Sequence, residues 1–124
     1  MSHTIVYNSE EHIIELKVLG RLTMGEIREI IPQMVSTIKE KDCFSIVSDY
    51  REAELNLSTI DIYEVPKMIS IALGEFDGFR LKRALVVTKD LKDFHFFDTV
   101  SFNQGQNVKL FQDIVEAKKW LSNK

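Results

Sequence analysis

Three short apolar runs recur along the chain, each separated from the next by a helix-length segment: "CFSIVSDY" (43–50, apolar up to its polar end), "RALVVT" (83–88) and "NVKLF" (107–111). No other feature of the sequence restricts the fold as much. Runs this short, partly β-branched and lacking strict polar alternation, are the pattern of strands buried on both faces. Strands joined through helices must lie parallel, because a crossover has to carry the chain back to the same end of the sheet.

The chain opens differently. "TIVYN" (4–8), the turn-prone "NSEE" and "HIIELKVLG" (12–20) predict an antiparallel hairpin whose second strand ends at Gly20. In "TMGEIREIIPQMVSTIKEK", Thr23 and Glu26 have capping-box spacing, and Ile27, Ile30, Ile31, Met34 and Ile38 fall on one helical face. Pro32 removes one hydrogen bond of that helix, which predicts a kink or a split in two. "LSTIDIYEVPKMISIALGEF" reads as a second helix, capped by Ser58 or Thr59, interrupted by Pro66 and closed by Gly74. "KDLKDFHFFDTVSFNQG" predicts a phenylalanine-rich third helix running from near Asp90 to Gly105. "DIVEAKKWLSNK" predicts a last one, with Asp113 and Glu116 in capping-box spacing and Ile114, Ala117 and Leu121 facing inward.

The resulting order, β-β-α-β-α-β-α-β-α, predicts one α/β domain over 1–124. It would hold a mixed five-stranded sheet, an antiparallel N-terminal hairpin followed by parallel strands, packed with about four helices. A chain of 124 residues is long enough to bury a core without disulfides or metals. No repeat, low-complexity segment or linker interrupts it.

Composition narrows the function. With a net charge of −3 the chain lacks the basic surface that a nucleic-acid binder needs. The local cluster Arg80, Lys82, Arg83 reads as a solvated loop at a strand start. The single cysteine, Cys43, excludes an internal disulfide and a cysteine-rich zinc site, and His3, His12 and His95 have no metal-ligand spacing. No apolar stretch reaches the roughly 18 residues of a membrane span, and no signal-peptide pattern opens the sequence, so a cytoplasmic location is expected. There is no Gly-x-Ser-x-Gly elbow, no P-loop and no dinucleotide fingerprint, so neither a catalytic residue nor a cofactor is assigned.

In the second helix Ile60, Ile62, Tyr63, Val65, Met68, Ile69, Ile71 and Leu73 spread over more than one face. A helix apolar nearly all round must be covered on both sides, which predicts a homodimer, with Ile62, Tyr63, Met68 and Ile69 as interface candidates.

The ending "VKLFQDIVEAKKWLSNK" resembles that of small STAS-like proteins related to anti-sigma-factor antagonists. These finish with a strand, a Phe-Asx-like turn and a helix of the form Glu-Ala-x-x-Trp-Leu. The matching positions are Val108, Phe111, Asp113, Glu116, Ala117, Trp120 and Leu121. Ser48, Asp49 and Arg51 match the family's strand ending in Ser-Asp followed by Arg, and Arg83–Ala84 its Arg-Ala strand opening. The resemblance spans nearly the whole chain and implies the STAS fold, close in shape to the CRAL-TRIO lipid-transfer fold, without implying one activity. True antagonists present Asp-Ser-x-Gly at the next helix start. Here Ser58 lies between Leu57 and Thr59–Ile60, so the phospho-acceptor signature is missing and Ser58 reads first as an N-cap.

Ligands of open α/β sheets bind beyond the carboxyl ends of parallel strands, which makes Asp49, Tyr50, Arg51 and Ser58 the ligand- or partner-binding candidates. The same residues carry a structural reading, with Asp49 and Arg51 as the clasp that turns the chain into its next helix. The function expected is a non-enzymatic regulatory or protein-interaction module with no cofactor. The alternative is a carrier of a small apolar ligand or lipid, with the phenylalanine-rich helix lining a cavity of several hundred Å³. An enzyme would need a pocket that joins Asp49 and Arg51 to a histidine.

Overall fold

The computed structural model describes residues 2–74, 80–89, 91–103 and 107–122, except for the side chains at 91, 93, 97, 102 and 103. Asp90 and Gly105, expected to bound the third helix, fall outside these residues, as do the side chains of Phe97 and Phe102. The elements are β1 (Ser2–Asn8), β2 (Ile13–Leu22), α1 (Met24–Lys41), β3 (Ser45–Leu55), α2 (Thr59–Leu73), β4 (Lys82–Val86), α3 (Leu91–Asn103), β5 (Asn107–Phe111) and α4 (Ile114–Ser122). Strand order in the sheet equals chain order, β1-β2-β3-β4-β5, with β1 antiparallel to β2 and every later pair parallel.

A right-handed crossover from each strand to its next neighbour swings the helix over the same face every time. Accordingly α1, α2 and α3 share one face, where Ile27, Ile38, Ile62, Val65 and Val100 pack with Ile14, Leu16, Ile46 and Leu85. The opposite face is covered by α4, whose Ala117 and Leu121 pack on Ile13, Val47, Ala84 and Val86. Lys82 of β4 anchors that helix: its ammonium donates to the Trp120 carbonyl at 2.6 Å and lies 4.4 Å from the center of the Trp120 ring. A cation there also offsets the negative end of the helix dipole.

Three local expectations need correction. Of the kink or split expected at Pro32, the split does not occur: α1 runs unbroken through 18 residues. Both Pro32 and Arg28, whose carbonyl would otherwise accept from residue 32, are exposed, so the missing bond lies on the solvent side of the helix. The Thr23 hydroxyl accepts the Glu26 N–H at 3.2 Å, but the capping box stays half-built because the Glu26 carboxylate is engaged with His3. Strand β2 does not stop at Gly20. It passes through that residue at φ +89° and continues to Leu22.

The fourth correction bears on the site. β3 extends to Leu55, so the charge cluster from Asp49 to Glu54 lies inside a strand and not at its end. Asp49 is the last β3 residue paired with β4, and beyond it β3 continues along β2 alone. Between Lys17 and Leu19 of β2 the register slips by one, because β3 advances from Asp49 to Glu52 over the same interval. The extra residue is a bulge, which re-aims the side chains around it.

Candidate functional site

The bulge brings Asp49, Arg51 and Glu52 together with Lys17 of β2 and Thr88 after β4, around a surface hollow of about 390 Å³ on the α4 side of the sheet. Arg51 binds Asp49 at three points: its backbone N–H reaches Oδ1 at 3.1 Å, Nε reaches Oδ1 at 2.9 Å and Nη2 reaches Oδ2 at 2.9 Å. Burial pushes the Asp49 carboxyl pKa up, but the hydrogen bonds and charge of Arg51, with a contribution from Lys17, outweigh this and leave it below the usual range. Lys17 in turn meets Glu52 at 3.2 Å, and the Thr88 hydroxyl donates to the Arg51 carbonyl at 3.4 Å.

Two cations and two carboxylates thus neutralise one another around the hollow, and no histidine lines it. Such an arrangement holds the bulge together. It has no poised base and no activated nucleophile. Elsewhere, the Cys43 thiol is buried and donates to the His12 carbonyl at 3.3 Å, while the His12 ring is bound to the Tyr7 hydroxyl at 2.7 Å. His12 therefore reaches Cys43 through its backbone, and its imidazole serves as no base for the thiol. Among the described residues no three His, Cys, Asp or Glu side chains cluster as metal ligands.

Strand alternation separates Tyr50 from its neighbours. It faces the three-helix layer, stacked on Phe94 with ring centers 5.4 Å apart and planes 17° from parallel. Burial pushes its phenol pKa up, with the charge of Arg83 and a hydrogen bond with Ser48 opposing. Arg83 is therefore no solvated loop residue. It lies within β4 at 7% exposure, its guanidinium pKa lowered by burial and held up by Tyr50 and Asp98. Sequence reasoning missed this because the residue sits beside exposed Arg80. The signal was the alternation of Leu81, Arg83 and Leu85, which puts the arginine in a row with two core leucines.

Ser48, Tyr50, Arg83 and Phe94 form part of the wall of an apolar cavity between sheet and helices, with a volume of about 60 Å³. That is room for a few water-sized guests, well below the several hundred Å³ expected for a lipid carrier.

Ser58 is apart from this cluster in its bonding. It caps α2 in a complete box: its hydroxyl accepts the Asp61 N–H at 3.1 Å, and the Asp61 carboxylate accepts the Ser58 N–H at 3.1 Å. Of the residues expected at an interface, Ile62 is 4% exposed and points into the core, so its side chain is not available there. Met68 and Ile69 are half-buried against the same core, and Tyr63 is exposed. The outer face of α2 instead carries Ile60 and Ile71, 73% and 82% exposed. Their spacing from Ile62 and Leu73 on a helical wheel already assigns them to opposite sides.

No protein-family model and no curated protein matches the chain. Solved structures do. An uncharacterized protein of the DUF3478 family with a SpoIIAA-like fold, from Shewanella loihica PV-4, superposes with a TM-score of 0.60 at 20% identity, over 97% of this chain and 92% of that one. The anti-sigma factor antagonist SpoIIAA in its unphosphorylated form superposes with a TM-score of 0.64 at 9% identity, over 99% of this chain and 100% of that one. With its antiparallel opening hairpin, parallel continuation and four described helices, this chain has the SpoIIAA-like, STAS-type fold.

Proposed function

We propose that the chain is a non-enzymatic regulatory or protein-interaction module of STAS type, a single cytoplasmic domain that meets its partner through the outer face of α2. The observation that carries this reading is the exposed apolar surface of that helix, Ile60, Tyr63 and Ile71, on a fold shared with an anti-sigma factor antagonist. Large apolar side chains gathered on one exposed face are the kind of surface a partner covers. Phe96 of α3 extends the surface, its ring set edge-on to Tyr63 at 5.8 Å. The capped start of α2 at Ser58 borders the same face, and the Asp49–Arg51 clasp serves as scaffold for the strand that leads into it. Among the described residues no helix is long and apolar enough to cross a membrane, in keeping with a module that works in water.

A photo-cross-linking amino acid placed at position 63, expressed in the host cell, tests this. It should give a discrete protein adduct that Ile71→Asp abolishes. The same probe at Val115, exposed on α4, should give none. Identical labelling from both positions, or none from 63, would sink the reading.

A further inference from the structure

The outer face of α2 has an internal symmetry that specifies one occupant. Ile60, Glu64, Lys67 and Ile71 follow one another at spacings of four, three and four residues, so all four share one stripe of the helix. Their order reads apolar, acidic, basic, apolar, with positions symmetric about the midpoint between Val65 and Pro66 and opposite charges at the mirrored inner pair. Tyr63 flanks the stripe on one side and Met68, at the mirrored position, on the other. Glu64 and Lys67 are about half exposed and meet each other at 3.8 Å, a loose surface pair free to exchange partners.

We infer that this face pairs with a second copy of the same chain, α2 against α2, antiparallel about a two-fold axis at that midpoint. The inference deepens the proposed contact surface and rests on it. In this arrangement Ile60 of each copy packs on Ile71 of the other, and Glu64 of each meets Lys67 of the other, so the two-fold makes every contact twice. Parallel pairing would oppose Glu64 to Glu64 and Lys67 to Lys67, and the charges reject it. A single heterologous helix would need a matched basic and acidic residue in reversed order between two aliphatic ones. The chain supplies such a helix itself. Tyr63 and Met68 then close the two flanks of the seam, with Phe96 beside Tyr63.

Sedimentation velocity across a concentration series, with circular dichroism as a check on folding, tests the pairing. The chain should dimerise. Lys67→Glu sets carboxylates against each other across the seam, and Glu64→Lys sets ammonium groups together. Each should weaken dimerisation about tenfold or more. The doubly exchanged variant Glu64→Lys/Lys67→Glu should recover the original affinity, an outcome that damage to the fold could not produce. Under oxidation, a mixture of Ile60→Cys and Ile71→Cys chains should form a disulfide-linked heterodimer. Ile60→Cys alone should not, since the helical rise separates the two copies of position 60 by about 16 Å. A chain monomeric at every concentration, a dimer indifferent to the charge variants, a double variant that is not rescued, or self-linking of Ile60→Cys would each overturn the inference. The module reading fails separately. If the chain is monomeric while the probe at position 63 still gives an Ile71-dependent adduct to another protein, self-pairing alone is wrong.

Discussion

Arg51 folds back on Asp49, two residues earlier in the same strand, and occupies both carboxylate oxygens while its own backbone N–H donates a further bond to Oδ1. An ion pair inside one strand normally has little to do, because alternate side chains already share a face. Here it spans the bulge opposite Val18, where the ladder to β2 loses a residue of register, and the Asp49 carboxylate takes up the Arg51 backbone N–H there.

Arg51→Ala should therefore destabilise the fold by about 1 kcal/mol, the value of charged hydrogen bonds discounted for the arginine's partial exposure. Asp49→Asn should act on the acid limb. The Asp49 pKa is depressed in the folded state, so its contribution is complete above the ordinary carboxylate value of about 3.9 and is lost as pH falls toward the folded one. Urea midpoints measured from pH 6 down to pH 3 should fall less steeply in Asp49→Asn than in the parent chain.

A second titration should appear on the alkaline side. His3 of β1 contacts α1 through both ring nitrogens, Nδ1 to Glu26 and Nε2 to Gln33 at 2.9 Å. Both acceptors are satisfied only by the imidazolium. Gln33 raises the His3 pKa, burial opposes it, and Glu26 and Glu29 add to the rise. The stabilisation is present in full below the ordinary value of about 6.5 and is lost as pH rises through the folded value. Unfolding midpoints between pH 6 and pH 9 should decline in the parent chain, and the decline should be absent in His3→Gln.

Ser58→Ala and Asp61→Ala should each cost about 1 kcal/mol, and the double variant should cost less than their sum, because each side chain serves the other's backbone. Chemical denaturation of the four chains closes the cycle. The Asp61 carboxylate already holds the Ser58 N–H, so a phosphate on Ser58 would meet a negative charge where an antagonist-type switch would want free donors.

Pro32→Ala should stabilise α1 by roughly 2 kcal/mol, the helix-interior penalty of proline less the entropy it removes from the unfolded chain. Thermal unfolding would register this as a higher midpoint. An unchanged midpoint would mean that the local geometry around Arg28 had already absorbed the missing bond.

The order of the elements was legible because it rests on apolar periodicity, which burial enforces at every strand and helix. The end of β3 was not. A run such as Asp49–Glu54 resembles a loop unless its charges are known to neutralise one another, and the partner Lys17 lies on another strand. Arg83 was misread for a related reason: its burial depends on Tyr50 and Asp98, brought beside it only by folding. The interface candidates show the limit of composition. An all-round apolar helix predicts two covers for α2, but only its orientation on α1 and α3 tells that Ile62 faces the core while Ile60 and Ile71 face outward.

Because strand order equals chain order, each new strand hydrogen-bonds to the one synthesised before it. The sheet can then grow by accretion as the chain leaves the ribosome, never holding a place open for a strand still to be made. Pairing only neighbours in the chain limits each parallel closure to a single crossover. Helix α4 then covers the bare face on which Ile13, Val47, Ala84 and Val86 would otherwise stand in water. Until α4 emerges, the nascent chain therefore carries an open apolar sheet face, an aggregation hazard that this helix removes.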